Sequence, residues 1–391
     1  MRQLDHAARG TKGTPLSRRG LLKAGAATAL PWPLATLAQD SGAIRIGQST
    51  ALTGPLGELG QAMHEGAQLC FSAVNARGGV LGRPIELDTR DDGYDARRAV
   101  ANVTEFLADR RNFALFNCMG TPMIEAVLPQ VIDSGIPFFA PFTGAVLPPM
   151  KSARNVFALR ASYADEAEKL VQHLATIGIK RLAIAYQNNA FGQDVFASAK
   201  GAMDRHQMAS PVTVTVESSG ADAAAAAAQL VAAAPDAVLI GLAGKPALEF
   251  AKAMRAQRRG LPLFALSVMG TAATLKALGS DAAGISFSQV VPMVGNLAVP
   301  VVRDFLQAWK ASGSAQEPSH LALEGYINAR VFAEALTRAG RNPTRAAFID
   351  ATWKMRRFDV GGFEVSFTEP GRSASRFVEL AMAGKDGRFI R

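Results

Sequence analysis

The sequence predicts an α/β protein of two lobes, each a mostly parallel sheet flanked by helices. Three observations carry that expectation. Apolar runs of strand length alternate with amphipathic stretches of helix length from residue 43 to residue 267, the pattern of a parallel sheet with helices on both faces. The alternation comes in two successive runs, one up to about 142 and one from about 164, so it describes two similarly built halves. The length of 391 residues, with 49% hydrophobic and 19% charged residues, suits two ordinary globular domains with full cores.

The elements follow in order. Residues 43–50 read as a strand, 59–79 as a helix closed by Gly78-Gly79, and 83–93 as a strand running into the acidic turn Asp91-Asp92-Gly93. Next come a helix over 95–110, a strand over 113–118, a helix over 123–135 and a strand over 136–142. The second run places helices over 164–177, 192–207, 222–233 and 246–258, with strands over 181–187, 212–218, 236–241 and 262–267. The alanine-rich segment 221–235 reads as an ordinary surface helix, because alanine is the best helix former. Residues 358–371 and 376–390 alternate apolar and polar residues around glycine turns, the pattern of antiparallel strands.

The front of the chain reads differently. Residues 1–38 hold six of the 42 Lys/Arg and one of the 33 acids, leaving the remainder with a net charge of only +4 out of +9. Ser17-Arg18-Arg19-Gly20-Leu21-Leu22-Lys23, an apolar run to Leu37 and the small residue Ala38 read as an export signal of twin-arginine type, with Arg18 and Arg19 as its pair and cleavage near Ala38, the alternative being a general secretory signal with two chance arginines. The run is too short, and too broken by Pro31 and Pro33, to span a bilayer as a helix. The expected location is the periplasm. The mildly basic body shows no basic stripe interleaved with aromatics, so no nucleic-acid partner is expected.

Chemistry-bearing motifs are sparse. There is no GxSxG elbow, Walker loop, HExxH or CxxC, and the five histidines (6, 64, 173, 206 and 320) are scattered. Residues 90–95 hold three acids without EF-hand spacing and read as a turn that caps the next helix. Neither metal nor cofactor is expected. Thr121, Thr143, Tyr186, Lys245 and Ser267 lie at strand ends without a partner histidine, so a hydrolase reading has little support. Cys70 and Cys118 are the only cysteines; an exported protein could join them, and the sequence leaves a disulfide and two buried thiols both open.

In open α/β sheets, ligands sit beyond the carboxyl ends of the strands. That rule selects Met119, Gly120 and Thr121, then Phe142, Thr143 and Gly144, on the first half. On the second it selects Gln187 to Phe191, Ala243 with Lys245, and Ser267 with Val268. Pro122 is a favoured first helical residue, which makes Thr121 a natural N-cap. The same helix start, with Gly120 allowing close approach, can receive a carboxylate through backbone N–H groups and hydroxyls. Lys245 reads as a solvated loop lysine or a partner for a second ligand charge.

Several stretches resemble the periplasmic leucine/isoleucine/valine-binding protein family, the substrate-binding receptors of ABC importers. They are Ala51-Leu52-Thr53-Gly54-Pro55, Gly66-Ala67, Asn75-Ala76 with Gly78-Gly79, Gly82-Arg83, Asp91-Asp92, and the segments 135–145, 186–193 and 323–336. The resemblance spans nearly all of 43–391. It implies the type I periplasmic-binding fold, with crossovers near 160, 290 and 372, one lobe of 43–160 plus 290–372 and a second of 161–289 plus 373–391. It implies a monomer that hands a small amino acid or organic carboxylate to an inner-membrane ABC permease, or a sensor built on the same fold. Thr121 falls where the family holds the ligand carboxylate, and Phe142, Thr143 and Gly144 on its second carboxylate loop. Phe191 and Ala243 fall at positions often held by tyrosine. Leu59 replaces a cleft aromatic, and Tyr94 stands where the family usually has a cysteine of an early disulfide. No acid lies around Ser267, Val268 and Met269, where amino-acid binders place the partner of the ligand ammonium; Asp165, Glu249 and Glu324 are the acids that could stand in.

Overall fold

The computed structural model describes residues 42–385 and 389–390. The expected export signal, including Arg18, Arg19 and Ala38, lies outside the described residues.

The first run of alternation forms β1 (Ile44–Thr50), α1 (Gly57–Ala76), β2 (Ile85–Asp91), α2 (Ala96–Ala108), β3 (Asn112–Phe116), α3 (Thr121–Ser134), β4 (Phe138–Phe139) and β5 (Val156–Phe157). These strands make a parallel five-stranded sheet of order β2-β1-β3-β4-β5. The second run forms α4 (Tyr163–Thr176), β6 (Leu182–Gln187), α5 (Ala190–Arg205), β7 (Val212–Val216), α6 (Ala223–Ala232), β8 (Ala237–Gly241), α7 (Gly244–Gln257) and β9 (Leu263–Ala265). After α8 (Ala272–Leu278) and β10 (Ile285–Gln289) come α9 (Pro300–Ser312), α10 (His320–Ala339) and α11 (Arg345–Trp353). The two-residue strands β11 (Phe358–Asp359) and β12 (Glu364–Val365) pair only with each other, and β13 (Glu379–Ala383) and β14 (Phe389–Ile390) follow. The second sheet has the order β14-β13-β10-β9-β8-β6-β7. It is parallel from β7 to β10 and antiparallel at β13 and β14, as the alternation near the C-terminus predicts. The architecture is two-lobed, and the chain passes between the lobes three times: after β5, after β10, and between β12 and β13.

Local chemistry sets several boundaries. Asp95, from the acidic turn, caps α2 by accepting from the N–H groups of Arg97 and Arg98. Ser162 and Asp165 form a reciprocal capping box at the start of α4. The sequence reading assigned the cap of α3 to Thr121, and the structure corrects it. Gly120, at φ 96°, is the N-cap, and Thr121 is the first helical residue. An N-cap needs only non-helical backbone, and the positive φ found here is one that Gly120 adopts without the penalty a Cβ carries.

The first lobe's core is aromatic. Phe332 on α10 stands 5.1–6.1 Å from Phe71, Phe116, Phe139 and Phe348. Trp309 packs on Phe305, and Trp353 on Phe157 at 5.1 Å, in the same core. Helix α10 is buried along most of its length because it runs directly against α1. The approach depends on two glycines: a Cβ at Gly66 would stand 1.8 Å from Ala322 O, and one at Gly325 2.1 Å from Met63 O. The question of a disulfide is settled by position. Cys70 and Cys118 are both buried free thiols in separate apolar clusters, and burial pushes each up to about 12.

Candidate functional site

Strand order places the site. In the first sheet the order reverses between β1 and β3, and in the second between β6 and β8. The carboxyl ends at these switch points, where ligands bind in such folds, carry the Met119–Thr121 turn, Gln187 and Ala243. The two lobes meet there around a cavity of about 20 Å³, close to the volume needed for a single water.

Eight sequence-selected residues line that cavity: Leu59, Met119, Gly120 and Thr121, with Phe142, Phe191, Ala243 and Val268. Four others do not. Thr143 stands behind Thr121, their hydroxyls 2.7 Å apart, and its Oγ1 accepts from Ala145 N–H at 3.0 Å. Gly144 gives room to Tyr163, whose ring would lie 2.6 Å from a Cβ there. Gln187 is buried and donates to Ser218 Oγ at 3.0 Å. Ser267 points to a charged cluster described below. Lys245 is exposed at the start of α7, its N–H donating across the cleft to Pro55 O at 2.9 Å.

Leu56, Tyr94 and Tyr163 complete the lining and were missed by the sequence reading. Tyr94 sits at φ 64° after the acidic turn and stands with Asn189 of the other lobe at the mouth of the cleft. Tyr163 opens α4, packs edge-on against Phe191 at 5.2 Å, and stands with Thr121 on the cavity wall. Burial raises both phenols above their ordinary range, so they are neutral donors at working pH. No Asp, Glu, Lys or Arg is among the lining residues. Thr121 therefore carries a hydroxyl network, free of any cap duty, at a helix start. Pro122 has no N–H and Ile124 N–H returns to Gly120 O; helix geometry leaves the N–H groups of Thr121 and Met123 over.

Outside Tyr94 lies a groove of about 830 Å³ between the lobes, walled by Pro55, Glu58, Pro122 and Met123 on one side and Ser218, Lys245 and Thr274 on the other. Glu58 Oε1 fastens this edge, accepting from Thr271 Oγ1 at 2.9 Å and Thr274 Oγ1 at 2.6 Å.

The acids named as stand-ins fall in different places. Asp165 is engaged in the capping box and with Arg376 at 2.8 Å, and Glu249 is exposed. Glu166, which sequence reading passed over, is the acid that reaches Ser267: its Oε2 accepts from Ser267 N–H at 2.9 Å and Ser288 Oγ at 2.6 Å. Glu324 lies beside Arg160, 3.6 Å from its Nε. Burial pushes Glu324 up to about 7, with Arg160 opposing and Glu166 adding to the rise. A signal was present in the letters: Arg160 interrupts the otherwise apolar stretch 156–161, and Glu324 the apolar start of α10.

Comparison with known proteins agrees with this geometry. Residues 43–388 match the Periplasmic binding protein family. A substrate-binding periplasmic protein from Ralstonia solanacearum superimposes with a TM-score of 0.83 at 32% identity, covering 89% of this chain and 99% of that one. A possible leucine/isoleucine/valine-binding protein from Rhodopirellula baltica SH 1 gives 0.83 at 27% identity, over 90% and 97% of the two chains. Leu/Ile/Val-binding protein homolog 7 of Brucella abortus is 23% identical over 299 residues, 72% of this chain and 73% of that protein. The chain belongs to the periplasmic binding protein family, with the type I fold, and members of that family are substrate-binding proteins. The family implies a periplasmic location. No helix among the described residues is long and apolar enough to cross a membrane, and none of their acidic, histidine and cysteine side chains form a group that could hold a metal.

Proposed function

We propose that the chain is the exported receptor of an ABC importer, capturing a small apolar carboxylic acid between its lobes and presenting it to an inner-membrane permease. In this reading residues 1–38 are the twin-arginine export signal. The lobes are 43–160 plus 290–372 and 161–289 plus 373–391, and they work as a monomeric clamp. One observation supports the ligand class above others. The cavity wall is apolar and aromatic, and its polar side-chain groups are the hydroxyls of Thr121, Tyr94 and Tyr163 beside the first turn of α3. Hydroxyls and helix-start N–H groups hold a carboxylate, and Leu59, Phe142 and Phe191 receive an apolar body. A cavity of about 20 Å³ admits such a solute only after the lobes part, so capture and closure are one event.

The test is a thermal-shift screen of the mature chain, unfolded and refolded to remove carried-over ligand. The panel pairs 4-methylpentanoate with leucine and 3-phenylpropanoate with phenylalanine. Ligand at 100 times its Kd adds about 2.7 kcal/mol. Stabilisation by the amine-free acids is expected; a panel in which no carboxylate stabilises the protein rejects the reading.

A further inference from the structure

Arg160 lies on the connection between β5 and α4, buried at 3% exposure. Its Nη2 donates to Ser267 Oγ at 2.5 Å and stands 3.3 Å from Glu166 Oε1. Its Nε faces Glu324 at 3.6 Å. The guanidinium carbon sits 4.9 Å over the Phe142 ring and 5.8 Å from that of Tyr163. Both rings line the cavity, as does Val268, the neighbour of Ser267. Nε and Nη1 of Arg160 and Oε1 of Glu324 make no hydrogen bond. The group is thus an ionic cluster one side chain away from the site, made by two carboxylates and a single cation.

An ammonium entering the cavity needs an anionic partner, since a buried charge left alone is costly. The carboxylates standing against Arg160, behind Phe142 and Tyr163, are Glu166 and Glu324. Glu166 is fully engaged: one oxygen faces Arg160 and the other takes two hydrogen bonds. We infer that Arg160 is the specificity-determining residue of the cleft, an internal cation that occupies these carboxylates and so excludes solutes bearing an ammonium beside their carboxylate. The inference rests on the carboxylate reading above and adds to it the reason for rejecting α-amino acids.

The experiment compares affinities for 4-methylpentanoate and leucine in three proteins by titration calorimetry. The unmodified chain is expected to prefer the amine-free acid by at least tenfold. Arg160→Met with Glu324→Gln removes the cation and one carboxylate, leaving Glu166 as a single uncompensated acid; the preference is expected to move toward leucine by tenfold or more. Arg160→Lys keeps a cation and is expected to keep the preference. A double variant with native circular dichroism whose preference stays within twofold of the unmodified chain overturns the inference. So does loss of the preference in Arg160→Lys, which decides the matter if the double variant does not fold. Failure of the unmodified chain to bind 4-methylpentanoate rejects the carboxylate reading on which the inference rests, whereas binding of that acid with an unchanged preference in the double variant overturns the inference alone.

Discussion

The crossing of α1 and α10 makes a demanding prediction. Replacing Gly325 with alanine puts a methyl group 2.1 Å from Met63 O and 3.0 Å from its carbonyl carbon. Real Cβ atoms essentially never approach another atom within 3.0 Å, so the helices must part by at least 0.9 Å. The obstacle is backbone, with no side chain able to rotate away. Overpacking a core costs about 1–3 kcal/mol when side chains can adjust, and about 3 kcal/mol is the fair expectation here. With an unfolding entropy of roughly 2 cal/mol/K per residue, that lowers the melting temperature of a chain this size by about 4 °C. Gly260→Ala is the control, because nothing lies within 4 Å of its Cβ and its φ is ordinary. Differential scanning calorimetry of the two variants reads the difference. Gly66→Ala should behave like Gly325→Ala, and the pair should cost less than the sum, since helices already separated accept the second methyl. A Gly325→Ala protein melting within 1 °C of the Gly260→Ala control would falsify the close-crossing argument.

Other expectations follow from the charges and contacts. Glu324 is held near 7 by burial against an ordinary 4.5, so its contribution to stability is complete below 4.5 and is lost as pH rises through 7, a change of about 3 kcal/mol at most. Urea midpoints at pH 5 and pH 8 should therefore differ less in Glu324→Gln than in the unmodified chain; an unchanged difference refutes the assignment. His320, one turn away on α10, is pushed down to about 4 by burial. Its contribution is present above 6.5 and is lost as pH falls toward 4, so His320→Gln should make the unmodified chain's gain on acidification larger in the same midpoints. Glu58→Ala removes both hydrogen bonds from α8 and should weaken ligand affinity several-fold by disfavouring closure, with little change in melting temperature without ligand. Cys70 and Cys118 should react with a thiol reagent only after denaturation, when two equivalents appear; two fast equivalents in the native protein would contradict their burial.

The parts of the fold that could be read in the letters are those whose faces differ. Up to residue 267 most strands are apolar or alternating runs and the helices carry one wet face, so period separates them; the two-residue β5 is too short to show a period and has no counterpart in the sequence reading. Helix α10 loses that contrast because α1, the first sheet and α11 bury it on nearly every side, and β10 mixes serine with isoleucine and phenylalanine. Both went unassigned, with α8, α9 and α11. The site divides the same way. Strand-end reasoning finds Met119, Thr121, Phe142, Phe191, Ala243 and Val268, since topology alone delivers them to the switch points. Tyr94, Leu56 and Tyr163 follow the ends of β2, β1 and β5, but the acidic turn reads as a helix cap, Leu56 lies six residues past its strand, and β5 is too short to be read as one. Glu166 escaped notice because its partners Ser267 and Ser288 are 101 and 122 residues away, a pairing that exists only once the second sheet has formed.

The indoles of Trp309 and Trp353 both belong to the first lobe's aromatic core, while the cleft itself is lined by tyrosine and phenylalanine. Intrinsic tryptophan emission in the described chain therefore watches one lobe's interior and is blind to the clamp. Anyone following capture by light must first put an indole where the movement is. Phe191, on the cavity wall in edge contact with Tyr163, is the position at which a single substitution by tryptophan turns closing into a spectroscopic event.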